Sequence, residues 1–104
     1  MGQTGINLAP GARLRVTGVG VNIMSVTLDL DAGAAAPLHQ HPHEQVSCVT
    51  KGRVRFMLEG RSVDLAAGDT IYVPGGAEHG VVAVEPATLI DVFTPLRLDL
   101  LERA

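Results

Sequence analysis

A chain of 104 residues with a net charge of −3 makes one domain, and 46% hydrophobic against 18% charged residues give it the material for a real core. It has no Lys/Arg run that could track phosphates and no apolar stretch long enough to span a bilayer as a helix, which excludes nucleic acid and membrane as expected partners. So low a charged fraction points to apolar surface covered by a partner subunit.

The segment from Met1 to Pro10 lacks the basic and apolar regions of a secretion signal, and a single Cys cannot close an internal disulfide, so the expected location is the cytoplasm. Thr4 to Ala9 reads as an extra edge strand or a frayed tail. Residues 12–17 and 21–30 then alternate apolar and polar, as do 53–58 and 61–66, and short apolar runs occupy 45–50, 70–73, 80–84 and 88–93. Turn residues separate them: Asp31-Ala32-Gly33, Lys51-Gly52, Glu59-Gly60, Ala67-Gly68-Asp69, Pro74-Gly75-Gly76 and Glu85-Pro86. About eight short strands at this spacing predict an all-β sandwich or barrel. Residues 96–103, after Pro95, form one or two helical turns or a last strand. With no Trp, the core must come from Val, Leu, Ile, Ala and Met. Met24, Phe56 and Met57 read as core or interface, and Cys48 as packed outside any ligand cavity.

His39, His41 and His43 fall at alternate positions, and His79 follows a Pro-Gly-Gly turn. In an extended strand, residues of one parity share a face, so His39, His41, His43 and Gln45 can point one way and Glu44 the other. A bulge near Pro42 would reverse the choice between Gln45 and Glu44. Surface histidines in a loop are the plain alternative, but three at this spacing with a fourth on another strand favour a bound metal. Gly52, Gly68 and Gly76 sit where tight connections call for positive φ, whereas Gly60 and Gly75 read as ordinary turn residues.

Two patterns carry a family resemblance. Gly33-x5-His39-x-His41-x3-Gln45-x6-Gly52 resembles the first cupin motif (33–52), and Gly68-x5-Pro74-x-Gly76-x2-His79 the second (68–83), with Ala83 where Asn is usual. The resemblance implies a single cupin domain over 1–104, a double-stranded β-helix or jelly roll, with one divalent transition metal (Zn, Ni, Mn, Fe or Cu) held by His39, His41, Gln45 and His79. It also favours a homodimer, with N-terminal strands packing across the partner. The family's usual set is three His and one Glu. With Gln45 instead, the ligands carry no charge, so the centre should attract an anionic ligand and polarise a carbonyl or carboxylate. His43 is the alternative to Gln45 as ligand, or a residue that braces the ligands.

The last strand and its exit read Asp91-Val92-Phe93-Thr94-Pro95-Leu96-Arg97. A carboxylate on an apolar strand needs a partner or a task. Asp91 either closes the barrel against Arg97 or Tyr72, or serves in a reaction. HPHEQ followed by DVF-T-P-L-R is similar to the pectin-degradation cupins of the KdgF type, which convert cyclic unsaturated uronates to linear keto forms. That resemblance implies Asp91 as acid/base, Phe93 and Tyr72 at the substrate, and Arg97 on its carboxylate. The expected ligand is a small anionic sugar acid or keto acid. A three-His dioxygenase and a non-catalytic binding module are the alternative functions.

Overall fold

The computed structural model describes residues 5–103, which form ten strands and one short helix. The strands are β1 (Gly5–Ala9), β2 (Ala12–Val19), β3 (Met24–Leu30), β4 (Ala35–His39), β5 (Glu44–Lys51), β6 (Arg53–Leu58), β7 (Arg61–Ala66), β8 (Thr70–Val73), β9 (His79–Ala83) and β10 (Ala87–Thr94), followed by α1 (Leu98–Arg103). They make two antiparallel sheets, ordered β1-β2-β3-β10-β5-β8 and β4-β9-β6-β7. This is the all-β jelly roll. No helix of the described residues is long and apolar enough to cross a membrane.

Alternation places the core. On β3, Met24, Val26, Leu28 and Leu30 point inward, and β10 sends Leu89 and Phe93 in beside them. Val54 and Phe56 of β6 and Val81 and Ala83 of β9 close on them from the other sheet. Leu100 of α1 is buried in the same cluster, so the C-terminal segment is a helix that plugs the barrel and not a further strand. The short run 5–9 is an edge strand, paired with β2 of its own chain.

Three details depart from the periodicity. Residues 20–23 are a hairpin tip and not strand, and Gly20 N–H donates to the Ile23 carbonyl at 2.6 Å. Residues 35–39 form a strand that the Ala/Pro-rich sequence hides. His41 lies beyond its end, in the connection to β5.

Two glycines allow close approaches of backbone to backbone. Gly52 has φ 78°, and a Cβ there would meet the Pro86 carbonyl oxygen at 2.2 Å. Gly75, although its φ is ordinary, would drive a Cβ to within 2.4 Å of the Pro42 carbonyl oxygen. Gly75 is therefore more than turn punctuation. Its missing side chain lets the 74–76 turn nest against the 41–43 loop, where Gly76 N–H donates to the His41 carbonyl at 2.8 Å.

Candidate metal centre

The two halves of the centre meet through pairing. His39 ends β4 opposite His79, which begins β9, and the Gly75 contact docks the loop carrying His41 beside them. The ligand-capable nitrogens of His39, His41 and His79 all lie within 4.8 Å of one another. Ring centroids are 4.3 Å apart for His39 and His79 and 4.8 Å for His41 and His79. Phe56 stacks behind His79 at 6.3 Å, and Phe93 meets His41 edge-on at 5.7 Å.

Each imidazole is oriented by a backbone carbonyl. Nδ1 of His39 lies 2.9 Å from the Pro37 oxygen, that of His79 2.8 Å from the Ala77 oxygen, and that of His41 3.1 Å from the His43 oxygen. A carbonyl only accepts, so these contacts put the proton on Nδ1 and leave an Nε2 lone pair on each ring. His79 Nε2 is buried and has no partner. Burial, then the Arg97 and His79 charges, holds His41 down to about 4, and burial likewise lowers His79, so both rings are neutral near pH 7. Neutral imidazole is the form that binds metal.

Gln45 completes the polar corner. Its Oε1 sits 3.0 Å from His41 Nε2, and its Nε2 donates to Ser47 Oγ at 2.9 Å. A neutral His41 has one proton and two neighbouring acceptors, Gln45 Oε1 and the His43 carbonyl. With the proton on Nδ1, two lone pairs face each other across 3.0 Å. A cation held by these groups would satisfy both lone pairs, and it would also serve the orphaned His79 nitrogen. The residues present thus fit a metal.

His43 is placed elsewhere. Its ring turns to the Leu96 carbonyl, 3.1 Å from Nε2, and stands outside the three-histidine group, bracing the loop against the exit of β10.

Asp91 is buried between Val26 of β3 and Ser47 of β5. Burial pushes its carboxyl up to about 6, against the lowering pull of a Ser47 hydrogen bond and the Arg97 charge. Its Oδ1 has no partner. The chain Asp91–Ser47–Gln45–His41 therefore connects the acid to the histidine centre. Ser47, fully buried, is a site residue with no motif to mark it in the sequence, although it shares parity with Gln45.

Arg97 is nearly buried, with its guanidinium 5.1 Å from the Phe93 ring centroid. Its Nε and Nη2 donate to the Asp99 carboxylate at 3.0 and 2.7 Å, a partner that the sequence pattern does not suggest. The expected closing contacts of Asp91 are thus replaced: Arg97 is paired with Asp99, and Tyr72 lies on the far side of the sheet. Tyr72 is 51% exposed and donates its hydroxyl to Glu44 Oε1 at 2.7 Å. It stands opposite Val46 on β5, whose side chain also points out, so it does not line the cavity beside the histidines.

A cavity of about 290 Å³ joins these groups. His39, Gln45, His79, Asp91, Phe93 and Arg97 line it, and apolar residues, including Leu100 of α1, complete its wall. The volume suits one small molecule.

Comparison with known proteins agrees with this geometry. A family model described as Cupin domain matches residues 26–93. The pectin degradation protein KdgF of Dickeya dadantii (strain 3937) is 37% identical over 60 residues, which is 57% of this chain and 54% of that protein. The chain thus spans about half the length of this curated relative. The structure of KdgF from Halomonas sp. is 33% identical, with a TM-score of 0.87 over 93% of this chain and 90% of that one. An RmlC-like cupin from Shewanella frigidimarina NCIMB 400 gives the same identity and TM-score over 94% and 88%.

Proposed function

The chain belongs to the cupin domain family, and from that premise we propose that it is a metal-dependent enzyme acting on a small carboxylated sugar or keto acid. The leading reaction is linearisation of a cyclic unsaturated uronate to its keto form. The observation that carries this reading is the shared cavity. Two members of the three-histidine group, His39 and His79, a buried Asp with an unpartnered oxygen and an Arg all line one small space. Similarity to two proteins called KdgF, one of them named for pectin degradation, supports a uronate as the substrate class.

His39, His41, His79 and Gln45 would hold one divalent ion, with Zn, Ni, Mn, Fe and Cu all compatible with imidazole and amide donors. Bound there, it would supply a Lewis acid for a substrate oxygen. Asp91 does the proton work. As a carboxylate it takes the proton from the hemiacetal hydroxyl as the ring C–O bond breaks. It then returns the proton to the adjacent enol carbon, so the product is an isomer and no atom is gained or lost. A carboxyl raised to about 6 has both forms populated near neutrality. Arg97, steadied on Phe93 and Asp99, keeps Nη1 for the substrate carboxylate. We place the protein in the cytoplasm as a homodimer.

The test is metal content by mass spectrometry of tag-free wild type and His79→Ala, followed by NMR of an unsaturated uronate with the loaded protein. The expected result is about one equivalent of metal, absent in His79→Ala, and conversion faster than in buffer. No metal in either protein after reconstitution with Ni, Zn, Mn and Fe would sink the reading. Metal and tight uronate binding without conversion would make the chain a binding module instead.

A further inference from the structure

The segment 97–103 carries four charged side chains, and the fold sorts them by sign. Arg97 and Arg103 line the cavity beside the histidines, whereas Asp99 and Glu102 do not. The sorting follows from helix geometry. The Arg97 carbonyl accepts the first bonds of α1, from the Leu100 and Leu101 N–H groups, so Arg97, Leu100 and Arg103 fall at intervals of three on one face. Leu100 is the buried residue of α1, and it holds that face against the barrel. The two arginines are thereby carried to the cavity, one before it and one after it in the chain.

The arginines differ in what they have left to offer. The Arg97 side chain is 11% exposed, and its Nε and Nη2 are engaged by Asp99. Arg103 is exposed, so it stands where the cavity opens to solvent. Among the described residues it has no hydrogen-bond or ion-pair partner. The one carboxyl among the described residues lining the cavity is Asp91, which burial moves toward its neutral form. A chain of net charge −3 thus lines its cavity with a cationic excess, and the charge that no protein acid offsets sits on Arg103. The helix dipole favours a cation in the last turn, but it does not favour the cavity-facing position within that turn.

From this sorting we propose that Arg103 is a second substrate-binding arginine. At the cavity rim it draws in a carboxylate and holds it together with Arg97, which makes Arg103 the residue that selects an acid over a neutral sugar. Its five donors are all available, whereas Arg97 keeps only the edge of its fork that faces away from Asp99. The role presupposes the small carboxylated ligand proposed above and rests on that reading.

Calorimetric titration of galacturonate, an unreactive saturated uronate, into the metal-loaded protein tests the role apart from turnover. Arg103→Gln should weaken binding about tenfold, with metal content and circular dichroism unchanged. Raising NaCl from about 0.05 to about 0.5 M should cost wild type more affinity than it costs Arg103→Gln, because an exposed cation is screened. Arg103→Lys, which keeps the charge, should recover most of the affinity, and a role confined to the helix end would move none of these readouts. In turnover of the unsaturated uronate, Arg103→Gln should raise KM and leave kcat nearly unchanged. Wild-type affinity, salt dependence and KM in Arg103→Gln would overturn the proposal and leave the uronate reading standing. A wild type that neither binds galacturonate nor converts the unsaturated uronate would overturn both.

Discussion

β3 and β10 are hydrogen-bonded neighbours in one unbroken register, yet they bury different things. β3 sends in Met24, Val26, Leu28 and Leu30, all apolar. β10 sends in Ala87 and Leu89, then Asp91 and Phe93, and beyond it β5 buries Gln45 and Ser47. Asp91 has Val26 on one side and Ser47 on the other. The border between core and site therefore runs down one strand. Polar groups are tolerated inside this barrel only on the side where they form a connected chain ending at the histidines. Among the described residues three buried side-chain atoms have no partner, His43 Nδ1, Asp91 Oδ1 and His79 Nε2, and the proposed chemistry uses the last two.

Replacing residues on either side of that border should separate activity from stability. The largest effect expected is on turnover in Asp91→Asn, a loss of about 10²–10⁴-fold at constant metal content, measured by NMR of uronate conversion. Its fold should hold, because an amide removes the cost of burying a carboxylate. Val26→Ala, one strand away, should do the reverse. Urea denaturation should show a loss of about 2 kcal/mol with metal stoichiometry unchanged.

The pH dependence of the metal-free protein sharpens the same contrast. His41 is lowered from 6.5 to about 4, so its stabilising contribution is complete above 6.5 and is lost as pH falls through this window. Asp91 is raised from 3.8 to about 6, so its contribution is complete below 3.8 and is lost as pH rises through that window. The slopes of His41 and Asp91 oppose each other between about pH 4 and 6, leaving wild type only the upward slope that His79, also lowered by burial, adds. Asp91→Asn removes one of them. Its stability should then climb with pH across that window, by up to about 3 kcal/mol, in urea titrations at fixed ionic strength. A flat profile in the variant would break the account of His41. The smallest effect belongs to Tyr72→Phe. With the hydroxyl lost only from an exposed contact with Glu44, stability should move by less than about 0.5 kcal/mol and turnover within about twofold.

Alternation is a local property of the backbone, and it was enough to mark most of the strands, though not 35–39, and to put Asp91 and Phe93 of β10 on one side. The motif spacing likewise named the three histidines before any contact was known. Parity is weak evidence in a strand of four residues. Thr70-Ile71-Tyr72-Val73 alternates only faintly, and its register with β5, Val73 opposite Gln45 and Tyr72 opposite Val46, turned the phenol outward. In loops parity is silent. His41 reaches the centre by the approach of two loops at Gly75, not by strand alternation, and His43 finds Leu96 only once the chain end is folded over the barrel. Local chemistry determined which residues were available to the site. Long-range register and close backbone approach decided which of them meet, because those distances are set by segments far apart in the chain.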